Sequence, residues 1–288
     1  MKNINHKIII GTAQFSDNYG LSKNISNIKE KNILLDRIAH HNCYGIDTAL
    51  DYGNAQKIIG SWLQNNSNEL KIYTKISGIG DFKELDKMFL KCMKELNIEK
   101  CQALLIHNQK NWKNKTVQLF TNNLLSANKV KQIGVSIYDY ELVPSNSEAS
   151  IVQIPGSIFN QKVLNSKNLK KFVKNGGEVH VRSIFIQGLL LLSPKNLPKY
   201  FQAVKEPLEE FNDMCIEYNV NPISISTNCI LKLFPQCKLV IGVDSISQLD
   251  DIIKKINIQI DDNIVYKFLE IGKKYSNNFW DPRNWKIK

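Results

Sequence analysis

Four ionisable residues in the first half of the chain, Asp47, Tyr52, Lys75 and His107, are of the types a proton-transfer site needs. Their sequence settings are similar. Asp47 closes a short apolar run, with Tyr52 five residues later in ALDYGN; Lys75 lies near the end of IYTKIS and His107 ends LLIHN. A phenol with a pKa of about 10 is a reluctant acid near neutral pH. An ammonium beside it stabilises the phenolate and lowers that value, and a carboxylate behind the ammonium keeps it charged and aimed. An imidazole can orient an oxygen that is gaining negative charge. Together the four suit protonation of a carbonyl oxygen while hydride reaches its carbon. Tyr52 is then the acid, Lys75 its tuner, Asp47 the support and His107 the orienting group.

These side chains can meet only if the ends of successive strands come together. Short β-rich runs alternate with amphipathic stretches along the whole chain. The pattern predicts strands at Lys7–Gly11, Tyr44–Asp47, Lys71–Ile76, Ala103–Ile106, Gln132–Ser136, Ile151–Gln153, Glu178–Ser183 and Leu239–Gly242. It predicts helices at Lys29–His41 (with Ile33, Leu34 and Ile38 as the apolar face), Ala55–Leu63, Phe82–Leu96, Lys115–Asn128, Leu169–Asn175, Glu206–Tyr218, Pro222–Leu231 and Gln248–Ile256. Gly176-Gly177 supplies a helix stop and Pro222 a first-turn residue. Such alternation means an α/β chain with a parallel sheet. A doubly wound sheet gives the same order, but the strand count and the lack of a GxGxxG turn after the first strand favour a single (β/α)8 barrel. In that fold chemistry gathers at the C-terminal strand ends.

The 288 residues and 43% hydrophobic content suit one barrel of roughly 250 residues plus insertions. No linker divides the chain, so one domain over residues 1–288 is expected, its C-terminal tail 275–288 packing near the barrel mouth. The apolar start Ile8–Ile10 is shorter than a secretory core of about 7–15 residues. The run Gly188–Leu192 is far shorter than the ~20 residues of a spanning helix. A cytoplasmic location away from membranes is expected. Cys43, Cys92, Cys101, Cys215, Cys229 and Cys237 show no CxxC or ordered spacing, which suits reduced, buried thiols and no metal site. The net charge of +11 comes from a lysine- and asparagine-rich composition without a run of five basic residues. That pattern disfavours nucleic acid, while leaving a phosphate-bearing cofactor or an anionic substrate as a partner the charge would steer.

The sequence resembles the aldo-keto reductase superfamily nearly end to end. The resemblance is carried by Gly11-Thr12-Ala13-Gln14-Phe15 with Tyr19-Gly20, Ile46-Asp47-Thr48-Ala49 continuing to Tyr52-Gly53, and Gly60. It continues through Thr74-Lys75, Leu104 to His107, Gly134-Val135-Ser136, Val152-Gln153-Ile154-Pro155, Arg182-Ser183 to Gln187-Gly188-Leu189, and Val240-Ile241-Gly242. It implies that Asp47, Tyr52, Lys75 and His107 form the catalytic tetrad, the set reached above from position and chemistry. It also implies an NADP(H) or NAD(H) site outside any Rossmann fold. Ser136 and Gln153 would hold the nicotinamide carboxamide, and Arg182 or Phe185 would offer a flat group to its ring. Ser183, Gln187, Gly188 and Leu189 would follow toward the pyrophosphate, and Gly242, Ser245, Gln248 and Asp251 would meet the adenosine end.

Family habit implies NADP(H) ahead of NAD(H). This chain nevertheless places Asp244 and Gln248 where Lys or Arg commonly meets the 2′-phosphate, with Lys254 and Lys255 the nearest basic residues in sequence. Other departures are Ile137 after Ser136, Gln56 after the tyrosine, and Gln102 before the fourth strand. Phe15, Tyr19 and Trp112 are candidates to wall the pocket. The aromatic tail Phe279-Trp280-Asp281-Pro282-Arg283-Asn284-Trp285 either lines the mouth or pins the chain end to the barrel.

The expected activity is reduction of an aldehyde or ketone, sugar-like or a nucleotide-sugar, to an alcohol. The alternatives are a cofactor-binding barrel with a regulatory role, and a lyase or epimerase without net redox change. The oligomeric state is open.

Overall fold

The computed structural model describes residues 3–16, 28–66, 70–145, 148–162 and 164–285. Eight parallel strands close on themselves in sequence order: β1 (Ile8–Gly11), β2 (Gly45–Asp47), β3 (Lys71–Ile76), β4 (Cys101–Ile106), β5 (Val130–Ser136), β6 (Ile151–Pro155), β7 (Glu178–Arg182) and β8 (Lys238–Gly242). The ring is completed by β1 pairing β8, with Ile9 opposite Val240 and Gly11 opposite Gly242. Around it run α1 (Ile28–His40), α2 (Ala55–Gln64), α3 (Phe82–Leu96), α4 (Gln109–Trp112), α5 (Lys115–Ser126), α6 (Lys167–Lys174), α7 (Lys205–Glu217), α8 (Pro222–Leu233), α9 (Ile246–Ile256) and α10 (Asp262–Lys274). This is the expected single (β/α)8 barrel.

Strand pleating decides which side chains reach the site. Successive residues point to opposite faces, and the apolar clusters show which face is which. Ile8, Ile10, Ile46, Ile72, Ile76, Leu104, Ile106, Val135, Val152, Val181 and Ile241 belong to the cluster that the helices cover. Ile9, Tyr73, Ala103, Leu105, Ile151 and Val240 form a separate cluster inside the barrel. The inward parity therefore carries Asp47 on β2, Lys75 on β3, His107 just past β4, Ser136 on β5, Gln153 on β6, Arg182 on β7 and Gly242 on β8. Polar residues at those positions sit above an apolar plug, at the end of the barrel where the strands finish.

The helices form for local reasons. Asp81 accepts from Glu84 N–H while Glu84 accepts from Asp81 N–H, a capping box that starts α3. Asn114, Ser166, Asn221, Ser245 and Asp261 cap α5, α6, α8, α9 and α10 in the same sense. Two details differ from the sequence reading. Ile33 is exposed, and α1 instead buries Lys31, Leu34, Leu35 and Ile38. Lys31 tolerates burial because its ammonium donates to the Phe15 carbonyl at 2.8 Å. Beyond the helices expected from the sequence lies α10, whose Val265, Phe268, Leu269 and Ile271 enter a second apolar cluster with α7, α8 and the tail.

In that cluster Trp280 stacks on Phe159 at 4.2 Å between centroids, and Trp285 meets Phe201 edge-on at 4.9 Å. The two tryptophans pin the tail to the barrel wall. All six cysteines are free and buried. Among the described residues, no helix is long and apolar enough to cross a membrane.

Candidate active site

Lys75 is fully buried, and an ammonium ion removed from water needs acceptors. It donates to Asp47 Oδ2 at 2.6 Å and to the Thr48 carbonyl at 3.0 Å. The other Asp47 oxygen, Oδ1, accepts from the Gln153 side-chain amide at 2.7 Å. A buried ion pair is tolerable when its remaining hydrogen-bonding capacity is met, and Gln153 and Thr48 supply part of that here. Above this pair lies Tyr52, with Lys75 Nζ 5.1 Å from its ring centre. His107 meets the same ring edge-on, at 5.9 Å between centroids. The four candidate catalytic side chains thus converge on one place.

The electrostatics refine the expectation for Tyr52. Burial, reinforced by the Asp47 charge, holds its phenol well above the ordinary tyrosine value, against the lowering pull of Arg182. The ammonium of Lys75 is directed at Asp47 and Thr48, so the acidification expected from the sequence is not the dominant effect. Tyr52 is a protonated donor at neutral pH. His107 is pushed down to about 4, by burial first and then by the charges of Lys75 and Arg182. Its imidazole is therefore neutral near pH 7, with Nδ1 3.7 Å from Asp51 Oδ2. A neutral ring can donate a hydrogen bond without adding charge.

A cavity of about 330 Å³ runs from Asp47 and Tyr52 past Arg182, Ser183, Phe185, Gln187 and Gly188 to Gly242, Asp244, Gln248 and Ile252. Its wall after β7 is unusually strained. Among the described residues, seven non-glycine residues have positive φ; four are asparagines, and the other three, Ser183 (+62°), Ile186 (+52°) and Gln187 (+54°), all lie in this one loop. Left-handed backbone costs roughly 1–2 kcal/mol per residue and is most unusual for a β-branched side chain. Gly188 (φ +93°) completes the run and has open space where a Cβ would stand. On the opposite wall, a Cβ at Gly242 would lie 1.9 Å from Gln14 Oε1. Strain of this kind persists where the surroundings over-determine it, commonly at ligand clamps.

The remaining sequence candidates fall in various places. Ser136 is buried opposite Gln153 in the strand register. Ser245 accepts from Gln248 N–H as the N-cap of α9. Leu189 is fully buried in the second apolar cluster, and Asp251 is exposed and paired with Lys255 at 2.6 Å; neither lines the cavity. Phe15 and Trp112 are buried in the core and do not wall the pocket, while Tyr19 lies outside the described residues. Gln56 donates to Thr74 Oγ1 at 2.9 Å, Gln102 to Gln132 at 2.7 Å, and Ile137 is buried with the helix-facing residues.

Three residues near the site were missed. Asp51 faces His107, and Tyr138 and Arg283 join it in a second cavity of about 420 Å³ with Ser77, His107, Asn108, Gln109 and Lys110. Arg182 Cζ lies 4.3 Å from the centre of the Tyr138 ring and Arg283 Cζ 3.5 Å from it. An aromatic two residues past a strand end was the available signal for Tyr138.

A model of the Aldo/keto reductase family matches residues 7–272. The chain belongs to the aldo/keto reductase family. Solved structures agree on the fold of this reductase. A glycerol dehydrogenase from Gluconobacter oxydans is 17% identical, with TM-score 0.72 over 93% of this chain and 92% of that one. A Pseudomonas aeruginosa structure assigned to the aldo-keto reductases is 14% identical, with TM-score 0.66 over 91% and 90% of the two chains. Among curated protein sequences, none matches.

Proposed function

We propose that this aldo/keto reductase reduces a polar, sugar-like aldehyde or ketone to the alcohol, with Tyr52 as general acid. The observation that carries the reading is the buried Lys75–Asp47 pair directly beneath a protonated Tyr52, with neutral His107 across the ring. The cavity fits a nicotinamide dinucleotide: it starts at Tyr52, passes the strained loop and open Gly188, and ends at polar side chains. Ser183, Gln187 and Gly188 would hold its centre and Gln248 its far end. When bound, the reduced nicotinamide supplies hydride to the carbonyl carbon.

The chain's residues do the rest. His107 donates a hydrogen bond to the carbonyl oxygen and fixes its direction toward Tyr52. Tyr52 passes its proton to that oxygen, and the phenolate left behind is stabilised by the Lys75 ammonium. Asp47 stays ionised throughout and holds Lys75 in place. Gln153 keeps Asp47 from turning.

The described lining of the second cavity consists of hydroxyl, amide, charged and aromatic groups, with no aliphatic side chain among them. That lining suits a substrate rich in hydroxyl groups. At the cofactor's far end the described cavity residues are Asp244, Gln248 and Ile252, with no Lys or Arg. Although family habit points to NADP(H), this lining favours NAD(H), since a carboxylate repels a 2′-phosphate and accepts from a ribose hydroxyl. Six buried free thiols suit a reducing cytoplasm.

The test is tryptophan fluorescence titrated with NADH and NADPH, followed by an aldehyde panel monitored by cofactor oxidation. Tyr52→Phe should retain cofactor binding and lose turnover by about 10²-fold or more. Binding with no turnover across the panel, unaltered in that variant, would leave a cofactor-binding barrel and no reductase.

A further inference from the structure

Arg182 is the last residue of β7 and lines the cavity beside Tyr52 and Asp47. Its Nη2 is buried without a hydrogen-bond partner, and its Nη1 reaches only the Ser183 hydroxyl, at 3.4 Å. No described carboxylate forms an ion pair with it. A half-buried guanidinium in this condition is costly unless something anionic completes it.

The neighbouring charges sharpen the deficit. Tyr138 brings the Arg182 and Arg283 guanidiniums to one aromatic ring, and like charges gathered in this way repel. Asp281, whose carboxyl the charges of both arginines lower, is already engaged by Nε and Nη2 of Arg283. Lys110 adds a further cation to the wall of the adjoining cavity. Asp51, beside His107, is the opposing charge, and it disfavours an anion at the His107 end. The polarity therefore runs from a neutral, hydrogen-bonding end at His107 and Tyr52 to a cationic end at Arg182 and Arg283. The two ends are close: Arg182 lines one cavity with Tyr52, and it meets Tyr138, which lines the adjoining cavity with His107.

We infer that the substrate carries an anionic group, a carboxylate or phosphate, a few bonds from its carbonyl, and that Arg182 binds this group with help from Arg283 across Tyr138. The planar fork of arginine suits such a group, since two N–H donors match two of its oxygens. The inference rests on the reductase reading above and narrows its substrate to a carbonyl compound such as a sugar acid or sugar phosphate. An oxyanion could also come from the dinucleotide's pyrophosphate, so the experiment separates the two sources.

Two measurements on the cofactor-loaded protein decide it. The first is kcat/KM for 4-oxobutanoate relative to butanal, in the wild type, Arg182→Gln and Arg283→Gln. The wild type should prefer the charged aldehyde by about tenfold or more, Arg182→Gln should lower that ratio by about tenfold, and Arg283→Gln should lower it by about threefold. The second is binding of succinate, which has no aldehyde or ketone to reduce, followed by tryptophan fluorescence. Succinate should bind the wild type and be lost in Arg182→Gln, so the anion site can be read even if no aldehyde turns over. Equal use of both aldehydes by the wild type, or no succinate binding, overturns the inference. An unchanged aldehyde ratio with a weakened cofactor Kd in Arg182→Gln assigns Arg182 to the cofactor, at its pyrophosphate or its nicotinamide ring, and overturns it as well.

Discussion

Gln153 donates its side-chain amide to Asp47 Oδ1 at 2.7 Å, joining β6 to β2 across the inside of the barrel. Both residues are buried, so the bond is not exchanged for water. Gln153→Leu leaves a buried carboxylate oxygen without this donor, and unmet buried acceptors cost about 1–3 kcal/mol, more when charged. Denaturant unfolding should show a stability loss of at least this size. A loss near zero would mean that Asp47 finds another donor and that Gln153 is held for the cofactor alone.

The Lys75–Asp47 pair is subject to a stronger asymmetry. Lys75→Met abandons Asp47 as an unpaired buried anion, and breaking one partner of a buried pair costs about 3–5 kcal/mol. Asp47→Asn combined with Lys75→Met removes both charges and should recover part of that stability while remaining inactive. The check is a double-mutant cycle by urea unfolding. Additive losses in the double variant would show that the two side chains do not depend on each other.

His107 should make stability depend on pH in a definite direction. Its pKa is about 4 in the folded protein against an ordinary 6.5. Between those values the unfolded chain takes up a proton that the folded chain refuses, so this group lowers stability as pH falls through the window. Above pH 6.5 both states are neutral there and the contribution is flat. Urea midpoints of the wild type and His107→Asn, compared from pH 4.5 to 7, should diverge with a steeper acid loss in the wild type. Parallel curves would place His107 in a solvated position.

The inward-facing polar set was readable from the chain because strand parity is a short-range property. Once Asp47, Lys75, His107, Ser136, Gln153, Arg182 and Gly242 stand at strand ends in an alternating βα pattern, closure of the ring brings them together. What was not readable depends on packing between distant segments. Tyr138 and Arg283 are far apart in sequence and meet only because Trp280 and Trp285 anchor the tail. Ile33 was assigned to the buried face of α1 by spacing, but Lys31 takes a buried place there through the Phe15 carbonyl, a partner outside the helix. The Tyr52 phenol follows the same logic: its neighbours were legible, but the degree of burial that raises it against the pull of Arg182 was not.

Asp244 offers the sharpest test of cofactor choice. It lines the far end of the cavity, and its backbone N–H donates to the Gln248 side chain at 2.5 Å, fixing the turn into α9. Two basic groups around that helix are engaged elsewhere: Arg37 holds Asp250 with two nitrogens and Lys255 holds Asp251. A 2′-phosphate approaching this end meets a carboxylate, and Asp244→Lys replaces that repulsion with a charge-assisted bond worth about 1.5–3 kcal/mol. The NADH-to-NADPH preference, taken as the ratio of dissociation constants from fluorescence titration, should move toward NADPH by about tenfold or more. The main-chain bond to Gln248 does not depend on the Asp244 side chain and survives the substitution. A wild type that already binds NADPH more tightly, or a ratio indifferent to Asp244→Lys, would place the ribose away from this residue.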